Sequence, residues 1–285
     1  MNQPIHDVDP ITSVHPVVAN PWVALRRFTD ARIALGRAGV SLPTQAHLQF
    51  QQAHAQARDA VHQALDVQQL AQQLSAAWLP GAPQPLCLHS AAANRAQYLQ
   101  RPDWGRLLHA DSRNRLQALR EAEHSGLPRP FELVVVVADG LSALAVQQNA
   151  PPFLAALRHT LAVTHGRIAP LCIVEQGRVA VGDAVGEALG ARAVVVLIGE
   201  RPGLSSPDSM GLYLTWMPRV GLTDAARNCI SNVRPAGLSY EAAAAKLAYL
   251  LEQARSRQLS GVDLKDDTAP TAIVGGQVQS NFLLD

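Results

Sequence analysis

The stretch Phe131–Ser142, FELVVVVADGLS, decides how this chain is read. Leu133 to Ala138 is an unbroken apolar run rich in β-branched residues. Such a strand has no wet face, so it is covered on both sides, as the strands of a parallel sheet are. Asp139-Gly140 ends the run. Gly140 can take a positive φ, and the Asp139 carboxylate can accept from nearby amides. A helical pattern starts at Ser142. Strand, tight turn and helix put Asp139 at the carboxyl end of a central strand, where open α/β sheets bind their ligands. Asp139 is equally suited to capping the helix that follows. The sequence leaves both roles open.

Outward from this stretch, the second half of the chain repeats the alternation. Helices are expected over Leu141 to Gln148 and Pro152 to Val163, and a strand over Ile168 to Glu175. A turn follows at Gly177-Arg178-Val179. A short helix, Asp183 to Leu189, is stopped by Gly190. Ala193 to Ile198 is a second fully apolar strand and Leu212 to Trp216 a further one. Thr223 reads as the cap of a short helix holding Asn228 and Cys229, and Ser239 as the cap of the last helix, 240–258. Apolar strands separated by helices predict an α/β fold, a Rossmann-like parallel sheet with helices on both faces.

The first half differs. A helical pattern with Trp22, Leu25 and Phe28 covers Pro21 to Ile33, and Pro43 opens a long helix over 44–79. After a Pro/Gly break at Pro80 to Pro85, another helical stretch runs to near Gly126. Pro128 and Pro130 mark a boundary near residue 128. The expected organisation is a flexible lead (1–20), a mainly helical domain (21–127), an α/β ligand-binding domain (128–262) and a loose tail (263–285).

Composition narrows the function. The 285 residues are 48% hydrophobic and 16% charged, enough to bury a sizeable core. A net charge of +1 and 5% aromatics give no footprint for nucleic acid or an anionic membrane. Cys87, Cys172 and Cys229 have no CxxC spacing, which fits a reduced compartment rather than a disulfide framework or zinc site. No secretory signal opens the chain and no apolar run reaches the ~18 residues of a membrane span. The expected location is cytoplasmic.

Three strand ends gather glycine and charge: Asp139-Gly140, Gly177-Arg178 and Gly199-Glu200-Arg201. In a doubly wound sheet they share one edge and can line one crevice for a large polar ligand. The common fingerprints GxGxxG, GxxxxGK[ST] and GxSxG are missing. Asp139-Gly140-Leu141-Ser142 has the look of a nucleophile turn, but no His is placed with it. His47, His54 and His62 fall near one face of a polar helix without the i+3 or i+4 partners a metal needs. Cys229 has only Arg227 as a nearby cation, which favours a packed, unreactive thiol. These residues end at a ligand-binding α/β domain behind a helical N-terminal part. A stand-alone sensor or scaffold for a nucleotide-like molecule fits them as well as a subunit does.

A set of motifs goes further. Arg26-Arg27-Phe28-Thr29 with Arg32, Gly36-Arg37-Ala38-Gly39, Arg101-Pro102-Asp103-Trp104-Gly105-Arg106 and Asp139-Gly140-Leu141-Ser142 occur in that order. Gly177-Arg178-Val179, Gly186-Glu187, Gly199-Glu200-Arg201-Pro202-Gly203-Leu204, Arg227-Asn228-Cys229-Ile230-Ser231-Asn232 and the Glu241 helix follow. Together they resemble the small (light) subunit of ethanolamine ammonia-lyase, an adenosylcobalamin-dependent enzyme. The resemblance implies a partner, the large subunit, whose (β/α)8 barrel holds ethanolamine and the upper corrin face. The small subunit covers the lower face and nucleotide tail. The hetero-oligomer deaminates ethanolamine to acetaldehyde and ammonia by radical chemistry, and some family members are packaged in a bacterial microcompartment. The resemblance carries cobalamin contacts to Val179, Glu200 and Cys229 and assigns no catalytic residue to this subunit. None of the ten His residues fits the Asp-x-His-x-x-Gly pattern of proteins that displace the cofactor's own base, so the benzimidazole is expected to stay on cobalt.

Overall fold

The computed structural model describes residues 16–123, 130–161 and 167–267. Most of the expected lead, the Pro128 linker, the end of the helix near Gly126 and the far tail lie outside these residues. The fold is α/β, built on one six-stranded sheet. Its strands are β3 (Leu86–His89), β4 (Leu133–Ala138), β5 (Cys172–Glu175), β6 (Ala193–Gly199), β7 (Met210–Trp216) and β8 (Arg227–Val233). They lie in the order β3-β5-β4-β6-β7-β8. A short antiparallel pair, β1 (Val17–Val18) with β2 (Arg37–Ala38), stands apart near the N-terminus. The apolar run of β4 is buried at every residue and is flanked on both sides by parallel partners.

The sheet is mixed rather than parallel throughout, which corrects the expectation. β7 runs antiparallel to β6, with Leu197 opposite Leu212, and β8 runs antiparallel to β7, with Tyr213 opposite Cys229. The physical reason lies in the connections. A parallel return needs a crossover of about a dozen residues or more, usually a helix. The segment between Gly199 and Met210 contains Pro202, Gly203 and Pro207 and forms no helix.

Helices α2 (Val67–Ala77), α5 (Ala143–Leu161) and α7 (Tyr240–Arg257) cover one face of the sheet. On the other, α4 (Ala110–Glu123) and α6 (Val181–Leu189) cover β4, β5 and β6. The pleat sorts the side chains: Val135, Val137, Val195 and Leu197 face the first layer, and Val134, Val136, Val194 and Val196 face the second. α6 lies close to the sheet because Gly182 meets it; a Cβ there would come within 2.2 Å of Val196 Cγ2.

Several expectations are corrected. The Pro151-Pro152 pair does not split a helix; α5 continues through it. Asn149 Nδ2 donates to Ala145 O (2.9 Å) and to Asp208 O (2.7 Å), which fastens the helix just before the prolines. The expected helix over 44–79 is two helices, α1 (Thr44–His62) and α2, broken where the Asp66 side chain caps α2 by accepting from Gln69 N (2.9 Å). Pro21–Phe28 is a 3-10 helix. Asn228 and Cys229 lie on strand β8, not on a helix, and Thr223 makes no side-chain cap. Strand β3 went unread: LCLH is short and follows a Pro/Gly break, yet it pairs with β5 as a sheet edge. As expected, Ser239 caps α7 and Gly190, at φ 66°, ends α6.

Gly140 has φ 58°, and a Cβ there would sit 2.2 Å from Gly199 O. Gly140→Ala is therefore expected to lower stability by about 2–4 kcal/mol, from the left-handed backbone cost plus overpacking. The measurement is a fall in the urea midpoint at unchanged slope; an unchanged midpoint would show that the two strand ends can separate freely.

Candidate functional site

Adjacent strands β4 and β5 send their connections to opposite faces of the sheet, β4 into α5 and β5 into α6. A crevice opens where neighbouring connections diverge in this way. Asp139 lies there, 1% exposed. It does not cap α5; that role falls to Ser142, whose Oγ accepts from Ala145 N (3.2 Å). Instead Asp139 Oδ1 accepts from Gly177 N (3.0 Å), tying the end of β4 to the turn after β5. Burial raises its pKa to about 6, against the pull of Arg95 and of the backbone amides of residues 176, 177 and 140.

Above this joint is a cavity of about 390 Å³. Tyr98, Gly140, Arg178, Val179, Glu200 and Tyr213 are among its walls. Arg178 and Val179 also border a second cavity of about 590 Å³, which extends past Arg106, Arg113, Asp183 and Thr223 to Arg227. The two hollows share a ridge and form one trough along the sheet's second face.

Among the described residues no helix covers β7 and β8 on that side, and the trough lies there. α7 packs on them from the opposite face, where Leu212, Leu214, Ile230 and Val233 point. The pleat turns Tyr213, Cys229 and Ser231 the other way, and Cys229 and Ser231 are exposed.

The three residues singled out by resemblance converge here. Val179, half-buried, walls both hollows. Glu200 follows the end of β6. Its Oε2 accepts a short hydrogen bond from Ser209 Oγ and one from Asn232 N (3.3 Å), leaving Oε1 free to accept from a ligand. Gly211 makes space for that carboxylate; a Cβ there would come within 2.9 Å of Glu200 Oε1. Cys229 stands beside the cavity rather than in its wall. Its thiol is 3.2 Å from Ser231 Oγ and bonds to the Tyr213 hydroxyl. The tyrosine's pKa is raised by burial and by that hydrogen bond. Cys229 is thus an exposed thiol on an open sheet face, not the packed residue expected from its neighbours.

Tyr98, which the sequence did not flag, joins motif residues in completing the trough. Tyr98, fully buried on α3 (Arg95–Gln100), has the guanidinium groups of Arg95 and Arg178 stacked on its ring at 4.7 and 4.3 Å. Arg178 N donates to Gly105 O (2.7 Å), and a side chain at Gly105 would collide with Arg178 Cγ at 2.8 Å. That contact explains the glycine of the Trp104-Gly105-Arg106 motif. At the far end Arg227 pairs with buried Asp183 and, at 3.0 Å, with Asp224. Burial pushes Asp183 up while Arg227 pulls it down. Among the described residues no three His, Cys, Asp or Glu side chains are grouped to hold a metal, and no helix is long and apolar enough to cross a membrane.

Residues 19–265 match the ethanolamine ammonia-lyase light chain family. The chain belongs to that family. It is 58% identical over 270 residues to the ethanolamine ammonia-lyase small subunit of Azotobacter vinelandii, covering 94% of this chain and 97% of the relative. The small subunit of Ralstonia nicotianae is 58% identical over 269 residues, covering 94% and 96%. That of Pseudomonas syringae pv. tomato is 55% identical, covering 100% and 97%. As a light chain of this lyase, the protein carries its trough on the face that its own helices leave bare.

Removing one member of a buried ion pair strands the other. Arg227→Ala is accordingly expected to cost about 3–5 kcal/mol. Adding Asp183→Ala should cost less than the sum of the single changes, as contacting residues do not add. A double-mutant cycle in urea checks this; strict additivity would mean the pair is not coupled.

Proposed function

We propose that this light chain, with a large subunit, binds adenosylcobalamin and supports the deamination of ethanolamine to acetaldehyde and ammonia. The observation that carries the reading is the convergence of Val179, Glu200 and Cys229 on one uncovered sheet face. The groups present fit a broad, flat macrocycle fringed with amides. Glu200 Oε1 is available to accept from an amide arm. Val179 offers apolar contact, and exposed Cys229 is small enough to let a ring approach. The adjoining bay, with Arg106, Arg113, Arg178 and Arg227 against Asp183 and Asp224, suits a nucleotide tail bearing a phosphate. When bound, the cofactor supplies the radical chemistry; this chain's residues hold it and exclude water from one side.

The large subunit is the expected cover for the rest. The N-terminal segment leaves Trp22 64% and Phe28 52% exposed, with Val23, Leu42 and Leu48 also open. Helix α1 buries only Ala53 and Ala60. Apolar surface of that extent marks a protein contact. It adjoins the cofactor rim, because Arg32 donates to Leu204 O (3.2 Å) and Ser205 Oγ donates to Asp30 O (3.2 Å). The proposed location is cytoplasmic.

The chain co-produced with a large subunit should co-purify with it and release ammonia from ethanolamine only when adenosylcobalamin is added. Failure of both would end this reading. In that complex Glu200→Ala is expected to weaken cobalamin binding about 10- to 100-fold, the worth of a hydrogen bond to a charged group, and adenosylcobalamin should slow alkylation of Cys229. Unchanged affinity would remove Glu200 from the site, and unprotected labelling would remove Cys229.

A further inference from the structure

Beneath the proposed cofactor rim lies a buried ionic joint whose charged members, Arg95 and Asp139, stand behind the cavity wall that Tyr98 helps to form. Arg95 Nη1 lies 3.5 Å from Asp139 Oδ2 and donates to Gly140 O (2.8 Å), while Nε donates to Val61 O (2.7 Å) near the end of α1. Asp139 in turn holds the amide of Gly177. Tyr98 completes the joint: its hydroxyl donates to Gly177 O (3.4 Å), and its ring carries Arg95 and Arg178. One carboxylate therefore fixes the height of the turn that presents Arg178 and Val179, and one guanidinium keys that turn to α1.

We infer that Asp139 and Arg95 are positioning residues for cobalamin binding: together they hold the Gly177–Val179 turn where Val179 meets the cofactor. This rests on the reading under Proposed function. The charge on Asp139 does not add to stability. A carboxyl whose folded pKa is about 6, above its ordinary value of 3.8, folds more favourably when protonated. That contribution is complete below pH about 3.8 and is lost as pH rises through about 6, so the neutral-pH carboxylate is a net cost to folding. Strained ionisation of this kind is characteristic of sites retained for function.

The groups facing Asp139 are few. α3 contributes Arg95 and Tyr98, the turn after β5 contributes the amides of residues 176 and 177, and the turn after β4 contributes the amide of Gly140. Arg178 lies one residue beyond, on the Tyr98 ring. Arg95 is the charge that sets the carboxylate's electrostatics, and protonating Asp139 removes its attraction to that cation.

The test uses the large–small complex with adenosylcobalamin as probe. Asp139→Asn keeps the size and one acceptor but sets an amide against Arg95. It should raise the KM for adenosylcobalamin about 10- to 100-fold, the range for supports behind direct contacts, and leave kcat at saturating cofactor within about twofold. The wild type should also lose affinity as pH falls from about 7.5 to about 5.5, through the titration of Asp139, and the variant should not. A purely structural role would lower the melting temperature and leave that pH profile unchanged. An unaltered KM with parallel pH profiles overturns the inference. Should the variant fail to fold, a wild-type affinity that stays flat over that pH range overturns it and a falling one supports it. A wild-type complex that binds no adenosylcobalamin at all instead sinks the functional reading, and this inference with it.

Discussion

Two backbones meet without side chains at the carboxyl ends of β4 and β6, and the rim of the trough depends on that approach. A Cβ on Gly140 would come within 2.2 Å of Gly199 O, and one on Gly199 within 2.0 Å of Ser142 O. Leu141 N donates to Gly199 O (2.9 Å) across the same gap. Because the two ends are stitched together, the chain leaving β6 emerges directly over the crevice, and its first residue is Glu200. Ser209, just before β7, and Asn232 on β8 then grip that carboxylate. The rim is thus closed from four strands, three of which end there while β7 begins there.

The unequal covering of the sheet does the rest. On one face α2, α5 and α7 bury a continuous apolar layer that extends under β7 and β8. On the other, the layer stops at β6, because the antiparallel connections after it supply no α-helix, only the 3-10 turn Asp224–Ala226. The outer strands therefore show polar and small side chains to the open side: Tyr213, Cys229 and Ser231. Along β8, Arg227, Ile230 and Val233 are buried while Cys229, Ser231 and Asn232 are exposed. The same sheet is buried on both faces at β4 and on one face at β8, and the ligand surface occupies the difference.

How much of this could be read from residues alone varied with the strength of the local signal. LVVVVA and AVVVLI can be little else than buried strands, and both were where their composition put them. Helix caps with side-chain oxygens, such as Ser239, were equally plain. Strand direction was not, because periodicity carries no polarity and only the missing helix between Gly199 and Met210 signals the reversal. Asn228 and Cys229 read as helical because the alternation of RNCISNV is blurred by polar residues on the open face, the feature that makes it a ligand surface. Asp139 was located but its partner was not: Arg95 lies 44 residues earlier, in a stretch without strong pattern, and only folding brings them together. The motif residues Val179, Glu200 and Cys229 came from resemblance; their shared face is a property of the fold.

Strand β3 governs how this protein can be divided. Leu86–His89 precedes the Pro-rich stretch near residue 128, yet it pairs with Cys172–Glu175 along its full length. A fragment beginning at β4 would keep the glycine-stitched rim but bare the amides and carbonyls of β5. It would also lose Arg95 and Tyr98 from under the turn. An unpaired sheet border of that kind recruits other chains. The C-terminal half is therefore not a detachable cassette: a minimal version able to stay monomeric has to start upstream of residue 86.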